Sequence, residues 1–171
     1  KRPTILPELQ AAAAIGQGKL IEAYNECFKK HGYHAAQLLL TRQDFEDRQR
    51  YLNTCNTLHS LLNFKTIPII NENDTISVDE ITFGDNDILS ALVTNLLQAD
   101  LLILLSSVDG LYTTPPTSGK RCRVLSVVDS ISDDIKKLAF KQKTKECVGG
   151  MESKFEAANI ATGSGEAVII A

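Results

Sequence analysis

The sequence has no apolar run that approaches the roughly 20 residues needed to cross a bilayer. Its apolar residues fall instead in short runs, which include AAQLLL, IPII, LLILL and AVIIA. No charged segment followed by an apolar segment opens the chain, so there is no secretory signal pattern. We therefore predict a cytoplasmic protein without a membrane span. The length of 171 residues predicts a single domain, residues 1–171.

Recognisable metal, disulfide and nucleic-acid patterns are missing as well. The four cysteines lie far apart and form no C-x-x-C pair, which favours reduced thiols over a zinc site or a disulfide scaffold. The three histidines form no H-E-x-x-H pattern and are more typical of helix surfaces than of metal ligands. The net charge of -3, without clustered Lys and Arg, argues against a nucleic-acid partner.

Helical periodicity alternates with short runs that are apolar throughout. Such strands are buried on both faces, as in a parallel sheet covered by helices. The sequence therefore predicts an α/β fold, a three-layer αβα sandwich with a mainly parallel central sheet. The predicted helices run from Pro7 to near Gly32, from Asp44 to Leu62 and from Ile88 to Gln98, with two more starting at Ser132 and at GGMESK. The predicted strands are Ala35–Leu40, Ile67–Ile70, Leu101–Leu105 and AVIIA, and VLSVV marks a further return to regular structure.

The middle of the chain is acidic and has no internal counter-charge. Between Lys65 and Lys120 there is no Lys or Arg, but there are eight Asp and Glu residues. Two clusters are prominent: NEND follows the IPII strand, and GDND precedes the helix that starts near Ile88. Ligands bind beyond the carboxyl ends of strands in open α/β sheets, so these clusters are candidate sites for an ammonium group or a magnesium ion. Asn, Asp and Gly are equally typical of turns and helix caps.

A glycine pair precedes the last predicted helix. Gly149 and Gly150 lie directly before an apolar helical pattern, and Lys154 falls in its first turn. Free backbone N–H groups at a helix start attract phosphate, and glycines let it come close. A simple tight turn explains the glycine pair equally well. The segment matches neither the Walker pattern nor the dinucleotide-binding pattern G-x-G-x-x-G.

Taken in order, these motifs resemble the glutamate 5-kinase branch of the amino-acid kinase family. The resemblance rests on QAAAAIGQGKLIEAY, AQLLLTRQDF, RYLNTCNTLHSLL, IPIINENDTISVDEITFGDNDILSALV, ADLLILLSSVDGLY and GGMESK. It implies transfer of the ATP γ-phosphoryl group to the γ-carboxylate of L-glutamate with Mg²⁺, the first step toward proline. It also implies a homo-oligomer, a dimer or tetramer, and proline as a feedback inhibitor.

The resemblance assigns roles residue by residue. Asp74 and Asn86 match glutamate-binding positions, and Asn71 and Asn73 shape the same pocket. Asp87 and Lys154 match the catalytic pair, in which the carboxylate orients lysines around the transferring phosphoryl group, and Asp85 is a magnesium-linked candidate. The positions matched to nucleotide binding are Ser106, Ser107, Gly149, Gly150, Met151, Glu152, Ser153 and Lys154.

The sequence departs from the family pattern at three places. The family's first strand and its Ser-rich substrate loop would precede Lys1, so the resemblance implies an N-terminally truncated domain that is inactive alone. Ser106-Ser107 replaces a Thr-Asp pair, and Cys147-Val148 replaces a glycine-containing pair. Two alternatives follow: a non-catalytic domain that senses an amino acid or nucleotide, and another family member that acts on a different acceptor.

Overall fold

The protein, studied as a computed structural model, is described over residues 4–76, 85–114, 122–140 and 150–171. These residues form alternating helices and parallel strands. The chain divides into two compact units, residues 1–83 and 84–171. Of the helices within the described ranges, none combines the length and apolarity needed to cross a membrane.

Within its described residues, the first unit has three helices and a parallel pair of strands. In chain order the elements are α1 (Leu6–Lys29), β1 (His34–Leu40), α2 (Gln43–Glu46), α3 (Arg48–Asn63) and β2 (Thr66–Glu72). The strands pair in parallel, from His34 opposite Thr66 to Leu40 opposite Glu72. Helix α1 packs on β1, and α3 packs on β2 with Leu58 fully buried. The helix–strand order of this unit agrees with the sequence prediction.

Two boundaries in the first unit differ from the prediction. The predicted helix from Asp44 to Leu62 is two helices, because Asp47 has an extended backbone and its side chain accepts the N–H of Arg50 at 2.9 Å to cap α3. Strand β2 also runs two residues further than Ile70. Since Asn71 and Glu72 continue the pairing with β1, the expectation that NEND lies wholly after the strand is wrong.

The second unit contains the remaining helices and strands. Its elements are α4 (Asn86–Leu97), β3 (Leu101–Leu104), α5 (Asp133–Phe140), α6 (Met151–Gly163) and β4 (Ala167–Ile170). Strands β3 and β4 pair in parallel. Ala91, Ala157 and Ala161 are fully buried in one core cluster, and their small side chains let α4 and α6 pack closely.

A second apolar cluster joins α6 to the segment after β3. Leu111, Met151 and Phe155 form its buried centre. Close by, Gly110 has a φ of +132°, a conformation that side chains disfavour, and an added Cβ would lie 3.1 Å from Cγ1 of Val124. The predicted return to regular structure at VLSVV is limited to an isolated antiparallel bridge between Tyr112 and Val124.

The α/β class and the parallel pairing of the strands are confirmed. Among the described residues the strands pair within each unit, as β1 with β2 and β3 with β4. The single three-layer domain around one central sheet stays a prediction.

Candidate functional site

A half-buried ion pair joins the first turns of α4 and α6. Nζ of Lys154 lies 2.9 Å from Oδ1 and 3.1 Å from Oδ2 of Asp87. The side chains are only 12% and 13% exposed, so the pair is screened by water less than a surface pair. The structure thus brings together the two residues that the sequence resemblance assigns to catalysis.

The position of Asp87 is set by the cap of its own helix. Oδ1 of Asp85 accepts the backbone N–H of Asp87 at 3.0 Å, which starts α4. The other oxygen, Oδ2 of Asp85, is buried and has no hydrogen-bond partner in the described part of the chain. Within those same residues, no group of three or more His, Cys, Asp or Glu side chains is arranged to hold a metal ion. A metal here would therefore take much of its coordination from other ligands.

Ser153 connects the ion pair to the start of α6. Its hydroxyl oxygen lies 3.0 Å from Oδ2 of Asp87 and 2.9 Å from the carbonyl oxygen of Gly150. Because a hydroxyl has one hydrogen, it donates to one of these two acceptors at a time. This side chain, assigned to the nucleotide by the resemblance, therefore contacts the carboxylate of Asp87.

The N-terminus of α6 has backbone donors that its N-cap residue does not satisfy. That residue is Gly150, which precedes the helix in an extended conformation and has no side chain to cap it. The first N–H groups of an uncapped helix are available to an anion. Met151 can offer only its backbone, since its side chain is buried in the core, while Glu152 is half-buried. Gly149, Cys147 and Val148 lie outside the described residues.

The remaining nucleotide candidates of the second unit follow β3. Ser106 donates its backbone N–H to the carbonyl of Ala171, and its side-chain oxygen accepts the N–H of Val108 at 3.3 Å. Ser107 is exposed. Tyr112 donates a hydrogen bond to Asp109 at 3.2 Å, and desolvation together with this carboxylate raises the pKa of Tyr112. Ser106 is therefore partly engaged within the fold, and Ser107 is the more accessible of the two serines.

Three substrate candidates lie at the carboxyl end of β2 in the first unit. The side-chain oxygen of Asn71 accepts the N–H of Glu72 at 2.9 Å, and the side chain of Asn73 accepts a hydrogen bond from Thr75. Asp74 is exposed and lines a small cavity beside α1. Asn71 and Asn73 therefore shape the strand end, and Asp74 presents its carboxylate. Asn86 belongs to the second unit, where it is the exposed first residue of α4.

Gln17 on α1 is a polar residue of this cavity that sequence reasoning missed. Its Oε1 accepts a hydrogen bond from Nδ2 of Asn71 at 3.3 Å, and its Nε2 is buried without a partner among the described residues. Gln17 lies within a helix of small and apolar residues, and its contact is 54 positions away in the sequence. The only signal in the sequence was that Gln17 is the one polar residue in the run AAAAIGQG.

Comparison with known proteins supports one family. The model of the amino acid kinase family matches residues 2–171. The glutamate 5-kinase of Caldanaerobacter subterraneus subsp. tengcongensis is 52% identical over 171 residues, which are the whole chain and 46% of that protein. The glutamate 5-kinase of Streptococcus suis is 50% identical over 170 residues, or 99% of the chain and 48% of that protein. The glutamate 5-kinase of Nitrosospira multiformis is 48% identical over the whole chain and 46% of its own length.

The chain thus spans about half the length of the curated relatives that it matches. The family model nevertheless matches nearly every residue of the chain itself. The chain belongs to the amino acid kinase family.

Proposed function

We propose that the protein transfers the γ-phosphoryl group of ATP to the γ-carboxylate of L-glutamate. The observation that carries this proposal is the half-buried pair of Asp87 and Lys154 at the starts of two helices. It is supported by identities of about 50% to glutamate 5-kinases that include the segments holding these residues.

Phosphoryl transfer to a carboxylate makes limited demands on the protein. The attacking oxygen is already anionic, so no general base is needed, and rate enhancement depends on positioning and on offsetting negative charge. Lys154 supplies the positive charge, and Asp87 fixes its ammonium group in one place. The N–H groups at the start of α6 add donors for phosphate oxygens, beginning with Gly150 and Met151.

The chemistry of Asp85 fits a role beside Mg²⁺. Magnesium is bound through one or two carboxylates together with substrate phosphates and water, so a complete cage of protein ligands is not required. The unpartnered, buried Oδ2 of Asp85 is an oxygen of the required type. When bound, the ion would offset charge on the phosphates. The ATP and Mg²⁺ roles are parts of this proposal.

The amino-acid substrate is assigned to the acidic cluster at the end of β2. In the proposal Asp74 holds the ammonium group and Asn71 contributes an amide group, whereas a substrate role for Asn86, which belongs to the second unit, stays a prediction from the sequence. The exposed position of Asp74 supports access by a ligand. A dimer or tetramer, proline as a feedback inhibitor and a cytoplasmic location stay predictions. Sedimentation of the purified protein as a monomer would contradict the first of these.

Glutamate-dependent ADP release by the longest natural chain that carries this sequence tests the proposal. We expect Lys154→Met and Asp87→Asn each to lower kcat roughly 100-fold or more, as does loss of one preorganised electrostatic group in other enzymes. Lys137→Met is the matched control, because Lys137 is 70% exposed and pairs only at the surface with Asp134. The absence of glutamate-dependent turnover in the unchanged protein would overturn the proposal.

A sensing domain without catalysis is the second candidate. It is favoured by Ser107, which stands where the family pattern has a carboxylate and which is exposed. Isothermal titration calorimetry would show binding of glutamate, proline or nucleotide by a protein that gives no turnover. Phosphorylation of another acceptor but not of glutamate would instead indicate a different activity within the family.

A further inference from the structure

We propose that Gln17 is a substrate-binding residue, whose Nε2 donates a hydrogen bond to the α-carboxylate of the amino acid. The inference rests on the proposed function, which it extends by naming a residue outside the predicted site. Its starting point is the small cavity between α1 and the end of β2, lined by Ala13, Ala14, Gln17, Leu39, Glu72, Asp74 and Thr75.

A chain of hydrogen bonds fixes which end of the Gln17 amide is bonded to Asn71. The N–H of Glu72 donates to Oδ1 of Asn71, so the Nδ2 group of Asn71 must point the other way. That Nδ2 group donates to Oε1 of Gln17. If the O and N atoms of the Gln17 amide were exchanged, two donors would face each other. Nε2 of Gln17 is therefore the amide atom without a partner in this chain of hydrogen bonds.

The unpartnered Nε2 group needs an acceptor. It is buried and has no partner among the described residues, whereas nearly all buried polar groups in proteins are hydrogen-bonded. The cavity of about 20 Å³ has room for one group the size of a water molecule, not for a whole amino acid. A single carboxylate oxygen fits both the size and the need for an acceptor.

The chemistry of the cavity rim indicates what else the ligand carries. The exposed carboxylate of Asp74 lines the same cavity. A carboxylate beside an N–H donor is complementary to a molecule with adjacent ammonium and carboxylate groups, which is the head group of an α-amino acid. Gln17 and Asp74 would then bind the two halves of that head group.

Gln17→Glu separates this role from a structural one. A glutamate keeps an acceptor for Nδ2 of Asn71 but replaces the donor with a second acceptor. We expect the KM for glutamate to rise roughly 10-fold or more, with kcat within about 3-fold of the parent, because one hydrogen bond to a charged group is lost. Gln37→Glu makes the same change at an exposed position of β1 in the same unit and should leave both constants unchanged.

Gln17→Met removes the donor without adding charge. It provides the test if the glutamate variant does not fold, as judged by its thermal unfolding midpoint. The same rise in KM is expected for it. If the methionine variant has the parent KM, Nε2 is satisfied by something other than substrate, such as a bound water, and the inference is wrong.

Two truncated inhibitors identify the group that Gln17 binds. Glutarate keeps the carboxylate and lacks the ammonium group, whereas 4-aminobutyrate keeps the ammonium group and lacks the α-carboxylate. We expect Gln17→Met to weaken inhibition by glutarate roughly 10-fold and to leave inhibition by 4-aminobutyrate unchanged. Equal weakening of both would overturn the inference. An inactive parent protein would instead count against the proposed function itself.

Discussion

The hydroxyl of Ser153 lies 3.0 Å from Oδ2 of Asp87, the same carboxylate that binds Lys154. The two contacts come from consecutive residues of α6, and together they restrict the rotation of a side chain on α4. A carboxylate that is held in this way keeps the lysine charge in place, and in the proposed phosphoryl transfer this would reduce the reorganisation that the reaction needs.

Removal of this hydroxyl should reduce turnover without abolishing it. We expect Ser153→Ala to lower kcat roughly 3–10-fold, equivalent to about one ordinary hydrogen bond, with little change in the KM for glutamate. Ser153→Thr retains the hydroxyl and should recover most of the activity. Steady-state kinetics check this prediction, and an alanine variant with the parent kcat would contradict a positioning role.

Asp44 predicts a pH-dependent contribution to stability. Burial opposes its ionisation, but the N–H and hydroxyl of Thr41 and the guanidinium of Arg50 donate to the carboxylate, and the pKa of Asp44 lies below its ordinary 3.8. A lowered pKa in the folded state stabilises the protein above the pKa of the unfolded chain. That stability is lost as the pH falls below about 4 and through the folded-state pKa.

We therefore expect Asp44→Asn to lower the thermal unfolding midpoint at pH 7, with a difference from the parent that disappears at the acid end of a titration. Glu46→Gln is the control, since Glu46 and its partner Arg42 are 61% and 57% exposed and such pairs contribute about 0–1 kcal/mol. A difference for Asp44→Asn that is the same at pH 7 and pH 3 would show that the charge is not responsible.

Two glycines should respond in opposite directions to the same change. Gly110→Ala should destabilise the fold by about 1–3 kcal/mol, because of its φ of +132° and the short approach to Val124. Gly16→Ala should stabilise it by about 0.5–1 kcal/mol, since Gly16 is inside α1 and an added Cβ meets nothing within 4 Å. Chemical unfolding of both variants measures the difference, and the same sign for both would refute the prediction.

The close packing of α4 on α6 gives a fourth prediction. Ala157 is fully buried between the helices, so Ala157→Leu should destabilise the protein by about 1–3 kcal/mol through overpacking. Ala12→Leu on α1 is the control, because Ala12 is exposed. If both variants unfold at the parent denaturant concentration, the helices are not in the tight contact described.

Most elements could be predicted from sequence because the spacing of apolar residues marks where they lie. Burial on both faces of the strands was predicted wrongly for β3, where Leu102 and Leu104 are buried and Leu101 and Ile103 are exposed. The apolar repeat from Pro7 onward predicts a helix, and the continuous apolar runs predict strands. The break at Asp47 was missed because one cap within a charged stretch competes with helical periodicity on both sides. The extension of β2 to Glu72 was missed because it is caused by pairing with β1. The strand propensity of the residues alone does not reveal that pairing.

The candidate site divides in the same way. Asp87 and Lys154 were recognised through their motifs, and their contact spans 67 positions that no local pattern could connect. Gln17 was missed because its candidate role depends on its hydrogen bond with Asn71, which the sequence does not show. Local chemistry thus identified candidates, while their partners depended on the tertiary fold.

The parallel pairing of β3 with β4 also affects how the chain must be made. During synthesis β3 leaves the ribosome before α5 and α6. Its partner strand, β4, leaves only after both helices. Until then β3 has no strand partner among the described residues, and its backbone donors and acceptors form an open edge that other chains could pair with. Slow translation of this segment should therefore favour aggregation, and chaperone dependence during synthesis is the expected cost of this topology.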